Sequence, residues 1–242
     1  QTMERSEVKR DGPALECRQL SKIYGAVRAL DQVDLTIRRG RIVGLLGPNG
    51  SGKTTLIKTA AGLLSPSAGE LLVCGQRPSA ATKGLVSYLP ERTYLNDWMR
   101  VEDILSMFRD FYRDFDLQKA EEMLFRLDIH RLDRLRTMSK GTREKVQLIL
   151  VMSRKAELYL LDEPIGGVDP AAREFILSTI IGNYSEEATV VISTHLIRDV
   201  EQVLDDVVFL GYGHVGLAAP VEELREEKGK SIDELFREIY RC

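Results

Sequence analysis

The stretch Gly47-Pro48-Asn49-Gly50-Ser51-Gly52-Lys53-Thr54-Thr55 decides the fold. It has the form G-x-x-x-x-G-K-[ST], with Gly47, Gly52, Lys53 and Thr54 in the fixed places. The apolar run 41–46 before it reads as a buried strand. Residues 56–61 after it read as a helix, closed by Gly62. Strand, glycine-rich turn and helix together are the context this motif requires. Small residues let successive N–H groups from Gly47 to Thr55 turn inward around phosphate oxygens, and the helix N-terminus adds partial positive charge. Lys53 can then reach the β- and γ-phosphates, and the Thr54 hydroxyl can hold Mg²⁺. A glycine turn with a chance lysine accounts for the motif but not for its flanks.

The chain has 242 residues, enough to bury a sizeable core as one domain or a domain with a lobe. With 43% hydrophobic and 29% charged residues it has a soluble globular composition. A formal net charge of −3 exerts no overall pull toward nucleic acid, so no such partner is expected. Cys17, Cys74 and Cys242 are widely spaced, without a C-x-x-C pair. That fits a reducing compartment and argues against a disulfide framework or a zinc site. No apolar run approaches bilayer length, so any membrane role is expected to use a separate chain. Gln1-Thr2 look like an addition ahead of Met3, and 1–13 is expected to be flexible.

Upstream of the loop, 15–23 and 27–37 read as an antiparallel pair of strands. Tyr24, between them, is a candidate for stacking on an adenine ring; a packed turn aromatic is the alternative. Downstream, 70–73 and 84–89 read as strands, and 91–99 as an exposed mixed segment. From 101 to about 136 the apolar spacing turns helical, with Asp116 an N-cap candidate and Arg131, Arg134 and Arg136 on a solvated helix face. This predicts a helical lobe inserted in an α/β core. Ser139 caps the helix that follows and gives a second N-terminus able to meet phosphate.

The run 158–162 is an apolar strand ending in Asp162-Glu163. A carboxylate at a strand tip beside the phosphate loop can hold Mg²⁺, and the next can take a proton from water. Asp169-Pro170 opens another helix. His195 follows the strand 189–193, where a γ-phosphate contact is plausible. Residues 196–204 read as a helix, 207–210 and 215–217 as a hairpin, and 221–228 and 231–241 as two amphipathic helices.

These residues resemble the nucleotide-binding subunit of ATP-binding-cassette transporters, over about 15–218 and in the family's order. Gly47 to Thr54 is similar to the phosphate loop, Tyr24 to the adenine-stacking aromatic, and Ser139-Lys140-Gly141-Thr142 to the signature loop. Asp162-Glu163 resembles the second nucleotide motif, Val168-Asp169 the dimer-contact loop, and His195 the switch histidine. Lys140 and Thr142 replace the usual glycine and glutamine, and Glu91 replaces a glutamine. Both variants resemble those of exporter-type ATPases with separate membrane chains.

The resemblance implies a P-loop NTPase core, a mostly parallel sheet flanked by helices, with an antiparallel β subdomain and an inserted α-helical subdomain. One domain would span 14–242: core 14–95 and 156–218, helical subdomain and signature helix 96–155, and helical tail 219–242. It implies ATP and Mg²⁺ as ligands, with Thr54, Asp162 and Glu91 toward the metal. It also implies a head-to-tail dimer, of identical or related subunits. Ser139, Gly141 and Asp169 of one subunit would meet the nucleotide site of the other. Glu163 would polarise the attacking water and His195 hold the γ-phosphate. Permease subunits would place the chain at the cytoplasmic face of the membrane, with Tyr94, Leu95, Trp98 and Met99 candidates for the docking surface. A nucleotide-gated clamp on DNA or the ribosome would carry a long coiled-coil insertion or tandem cassettes, and a guanine-nucleotide switch an Asn-Lys-x-Asp motif. The sequence has none of these.

Overall fold

The computed structural model describes residues 12–240. Residues 1–11, most of the expected flexible N-terminus, lie outside them, as do Arg241 and Cys242. Gly12 is tied down, since its carbonyl accepts from Arg39 Nε at 3.1 Å.

Strands β1 (Leu15–Tyr24), β2 (Val27–Ile37) and β4 (Ala68–Val73) form an antiparallel sheet in the order β2-β1-β4. The main sheet has β3 (Ile42–Leu46), β5 (Val86–Leu89), β6 (Leu158–Asp162), β7 (Thr189–Thr194), β8 (Asp206–Gly211) and β9 (His214–Pro220). Its order is β5-β6-β7-β3-β8-β9, parallel except for the β8–β9 hairpin. The short apolar runs are buried on both faces, as parallel strands must be. Leu158 and Leu160 face α1 (Lys53–Ala60) and the small sheet, whereas Tyr159 and Leu161 face the opposite core. That core is closed by α6 (Pro170–Asn183), α8 (Val221–Lys228) and α9 (Ile232–Tyr240).

Helices α3 (Val101–Phe111), α4 (Leu117–Arg126) and α5 (Lys140–Met152) build a third cluster around Ile104, Phe108, Leu124 and Leu150. Asp116 caps α4 by accepting from the Lys119 N–H at 3.1 Å. Ser139 caps α5 through the Thr142 N–H, also at 3.1 Å.

Several expectations need correction. Helix α1 begins at Lys53, three residues earlier than the apolar spacing suggested. The helix expected over 196–204 is one turn, α7 (Ile197–Val200), followed by turns that lead into β8. Arg131, Arg134 and Arg136 share no helix face. Arg134 joins an isolated bridge to Arg100, and Arg136 sits in a 3₁₀ turn. Of the four docking candidates, Tyr94 and Trp98 are 51% and 59% exposed, but Leu95 and Met99 pack into the lobe at 8% and 9%. The short helix α2 (Ala80–Lys83), capped by Ser79, was not anticipated.

Candidate nucleotide site

The parallel strands of the main sheet end on one edge, and the candidate residues sit there. The phosphate loop leaves β3, Glu91 follows β5 by two residues, Asp162 ends β6, and His195 follows β7. In open parallel sheets ligands bind at this carboxyl edge, where strand order reverses about β3.

Glycine is required at two points of the loop. A Cβ on Gly47 would lie 2.2 Å from the Leu210 carbonyl, and one on Gly52, at φ +108°, 2.4 Å from the Ala29 carbonyl. Lys53 lies over the loop, its Nζ donating to the Gly47 and Pro48 carbonyls at 2.8 and 3.1 Å. The same nitrogen is 3.6 Å from Glu163 Oε1. Burial lowers the Lys53 pKa, with Glu163 and Asp162 opposing it.

Asp162 is buried. Its Oδ1 accepts from Ser193 Oγ at 2.6 Å and Thr54 Oγ1 at 3.1 Å, while Oδ2 is buried with no hydrogen bond within the protein. Burial raises its pKa, against the two hydroxyl donors. Glu163 holds a left-handed backbone at φ +48°. Its N–H is locked by the Ser193 carbonyl at 3.0 Å and hydroxyl at 3.1 Å. Such strain costs about 1–3 kcal/mol and clusters at functional positions. Glu163 Oε1 lies 3.1 Å from His195 Nδ1.

Tyr24 and the loop from Asn49 to Thr55 line a cavity of about 450 Å³ together with Glu91 and Glu163. An adjoining cavity of about 610 Å³ brings Asn49, Glu91 and Glu163 together with His195, Lys140 and Arg143. Tyr24 and Glu91 are exposed on these walls. Ser139, Gly141 and Asp169 line neither cavity; Asp169 caps α6 through the Ala172 N–H at 3.0 Å. A larger cavity, about 850 Å³, opens at the opposite edge of the sheet beside Gly40, Glu157 and Ala188, away from every candidate residue.

The residues fit a magnesium–triphosphate. The loop presents a glycine cradle, and the free Asp162 oxygen stands beside the Thr54 hydroxyl. Among the described residues no group of three or more His, Cys, Asp or Glu side chains could hold a metal by itself. That suits Mg²⁺, which keeps waters and takes one or two protein ligands plus substrate phosphates.

The family model described as "ABC transporter" matches residues 30–166. The chain belongs to the ATP-binding-cassette family. The ABC transporter ATP-binding protein YtrB of Bacillus subtilis (strain 168) is 31% identical over 216 residues, covering 88% of this chain and 74% of that protein. The daunorubicin resistance ATP-binding protein DrrA3 of Streptomyces coeruleorubidus is 30% identical, covering 90% and 72%. A solved ATP-binding subunit of an ABC transporter superposes with a TM-score of 0.83 at 29% identity, covering 94% of this chain and 99% of that one. The chain is thus an ABC ATPase subunit, hydrolysing ATP to drive transport. Sequence reasoning missed Ser193, which bonds the Asp162 carboxylate and fixes the Glu163 backbone N–H. The signal was its β-register opposite Asp162, which only strand pairing reveals.

Proposed function

We propose that this chain powers an exporter whose membrane subunits are separate chains, from the membrane's cytoplasmic face, as one half of a head-to-tail dimer. The observation that carries the dimer is the position of Ser139 and Gly141. They stand at the start of α5, Ser139 exposed and Gly141 half-buried, and line neither cavity of their own nucleotide site. A second copy brings them to it. The drug-resistance name of one relative supports export, as do Glu91 and Lys140. Among the described residues no helix is long and apolar enough to cross a membrane, which supports separate membrane chains. Exposed Tyr94 and Trp98, either side of the boundary between the core span 14–95 and the helical subdomain 96–155, are the proposed contacts to those chains.

Within the site, the loop N–H groups and Lys53 bind the β- and γ-phosphates, and Tyr24 stacks on the adenine. Thr54 and Asp162, with Glu91, would hold Mg²⁺, which would supply positive charge to neutralise the phosphates. Glu163 takes a proton from the attacking water as its oxygen bonds to the γ-phosphorus and the bond to the β-phosphate oxygen breaks. His195 orients Glu163 through Nδ1 and keeps its other ring nitrogen for the γ-phosphate. Sedimentation of the Glu163→Gln chain, alone and with an added related subunit, tests the dimer. ATP–Mg²⁺ is expected to shift it to a dimer in one of the two mixtures. A monomer in both contradicts the shared site.

A further inference from the structure

Three buried polar atoms from two elements make no hydrogen bond within the protein. They are Glu144 Oε2 and Gln147 Nε2 on α5, and Glu163 Oε2 beyond β6. All three side chains line one cavity of about 30 Å³, whose other walls include Pro90, Pro164, Gly166, Thr93 and Glu91. Gln147 is only 2% exposed, so bulk water cannot satisfy its amide. Unpaired groups so deeply buried are costly, and native structures rarely leave them so.

The other oxygens of the two acids are engaged. Glu163 Oε1 faces His195 and Lys53, and Glu144 Oε1 lies 3.7 Å from Lys140 Nζ. The free oxygens therefore face inward. A Cβ on Gly166 would lie 3.8 Å from Glu163 Oε2, in ordinary van der Waals contact, and 3.2 Å from the Glu163 carbonyl. A cavity needs only about 10–15 Å³ open to a water-sized sphere to hold a water, and a buried water commonly makes about three hydrogen bonds. Its two O–H donors match two carboxylate oxygens, and a lone pair matches one amide N–H.

We propose that this cavity holds one ordered water, which accepts from Gln147 Nε2 and donates to Glu144 Oε2 and Glu163 Oε2. Through it α5 supports the carboxylate of Glu163. Glu144 and Gln147 are positioning residues that do not touch the nucleotide. A shift of α5, whose first turn begins at Ser139, then reaches Glu163 through this water. The water stands on geometry alone; its effect on turnover rests on the reading of Glu163 as the base.

High-resolution crystal structures of the wild-type chain and of Gln147→Leu test the site. Density for one water within hydrogen-bond distance of all three atoms is expected in the first and not in the second. Direct contacts among the three side chains, with no water, overturn the proposal. Turnover and equilibrium ATP affinity are measured alongside. Gln147→Leu and Glu144→Leu are expected to lose roughly 3- to 10-fold in kcat, the worth of one hydrogen bond, with ATP affinity unchanged. Glu144→Gln keeps an acceptor and is expected to restore the water and the turnover lost in Glu144→Leu. Wild-type kcat in both leucine variants overturns the positioning role. Should Gln147→Leu fail to fold, the two Glu144 variants, crystallised and assayed in the same way, decide. If Glu163→Gln itself turns over normally, the base assignment fails while the water site stands.

Discussion

In the proposed site Lys53 would carry the charge that the loop offers to a nucleotide, and its Nζ rests on two loop carbonyls. Lys53→Ala is expected to weaken ATP binding severely, read by equilibrium binding of a labelled analogue; near wild-type affinity removes Lys53 from the site. Glu91 adds an exposed carboxylate to a wall already holding Glu163. That extra charge is tolerable beside a triphosphate only with the metal present. Glu91→Gln is expected to leave affinity with Mg²⁺ largely intact and to tighten nucleotide binding in a chelator. Equal ratios in the two proteins remove Glu91 from the metal. Burial pushes the thiol of Cys17 up to about 12 and that of Cys74 up to about 11. Both are therefore expected to resist alkylation at neutral pH until denaturant is added, checked by mass spectrometry of the labelled peptides. The loop and the Asp162-Glu163 pair were legible in the sequence because their chemistry is local. Ser193, Glu144 and Gln147 were not, because strand register and helix packing bring them to the site.

At the scale of elements, the caps were the most legible feature. Asp116 and Ser139 each accept from an N–H three residues on, as their residue types demand. Asp116→Ala is expected to cost about 1 kcal/mol, measured as a shift in the denaturant midpoint. The Lys119 N–H, opposed by slight burial and aided by Lys155, holds the Asp116 pKa below its ordinary value. A depressed carboxylate contributes fully above its unfolded pKa and loses that contribution as pH falls through the folded one. The difference between wild type and Asp116→Ala should therefore shrink in acid. Elements fixed by tertiary contacts were less legible. Leucines alternating with arginines over 131–136 imitate a helix face, but the segment runs from a turn through an isolated bridge at Arg134 into a 3₁₀ turn, tied to Val101 and Met99 by backbone hydrogen bonds. The buried Leu95 and Met99 show the same limit, since an apolar residue in a polar segment marks a core contact as readily as a docking surface.

Across the whole molecule, one sheet edge gathers a phosphate loop, three carboxylates and a histidine from four strands, and the helical lobe reaches the same edge through α5. The α/β core could be read from the sequence because each strand is a short apolar run ending in chemistry. The central claim is that this edge hydrolyses ATP with Glu163 as the base. Steady-state ATP turnover of Glu163→Gln beside wild type, with ATP binding measured on the same samples, tests it most directly. The amide keeps the shape and loses the base, so binding should persist while turnover falls about 10²- to 10⁴-fold. Full turnover with binding intact would contradict it.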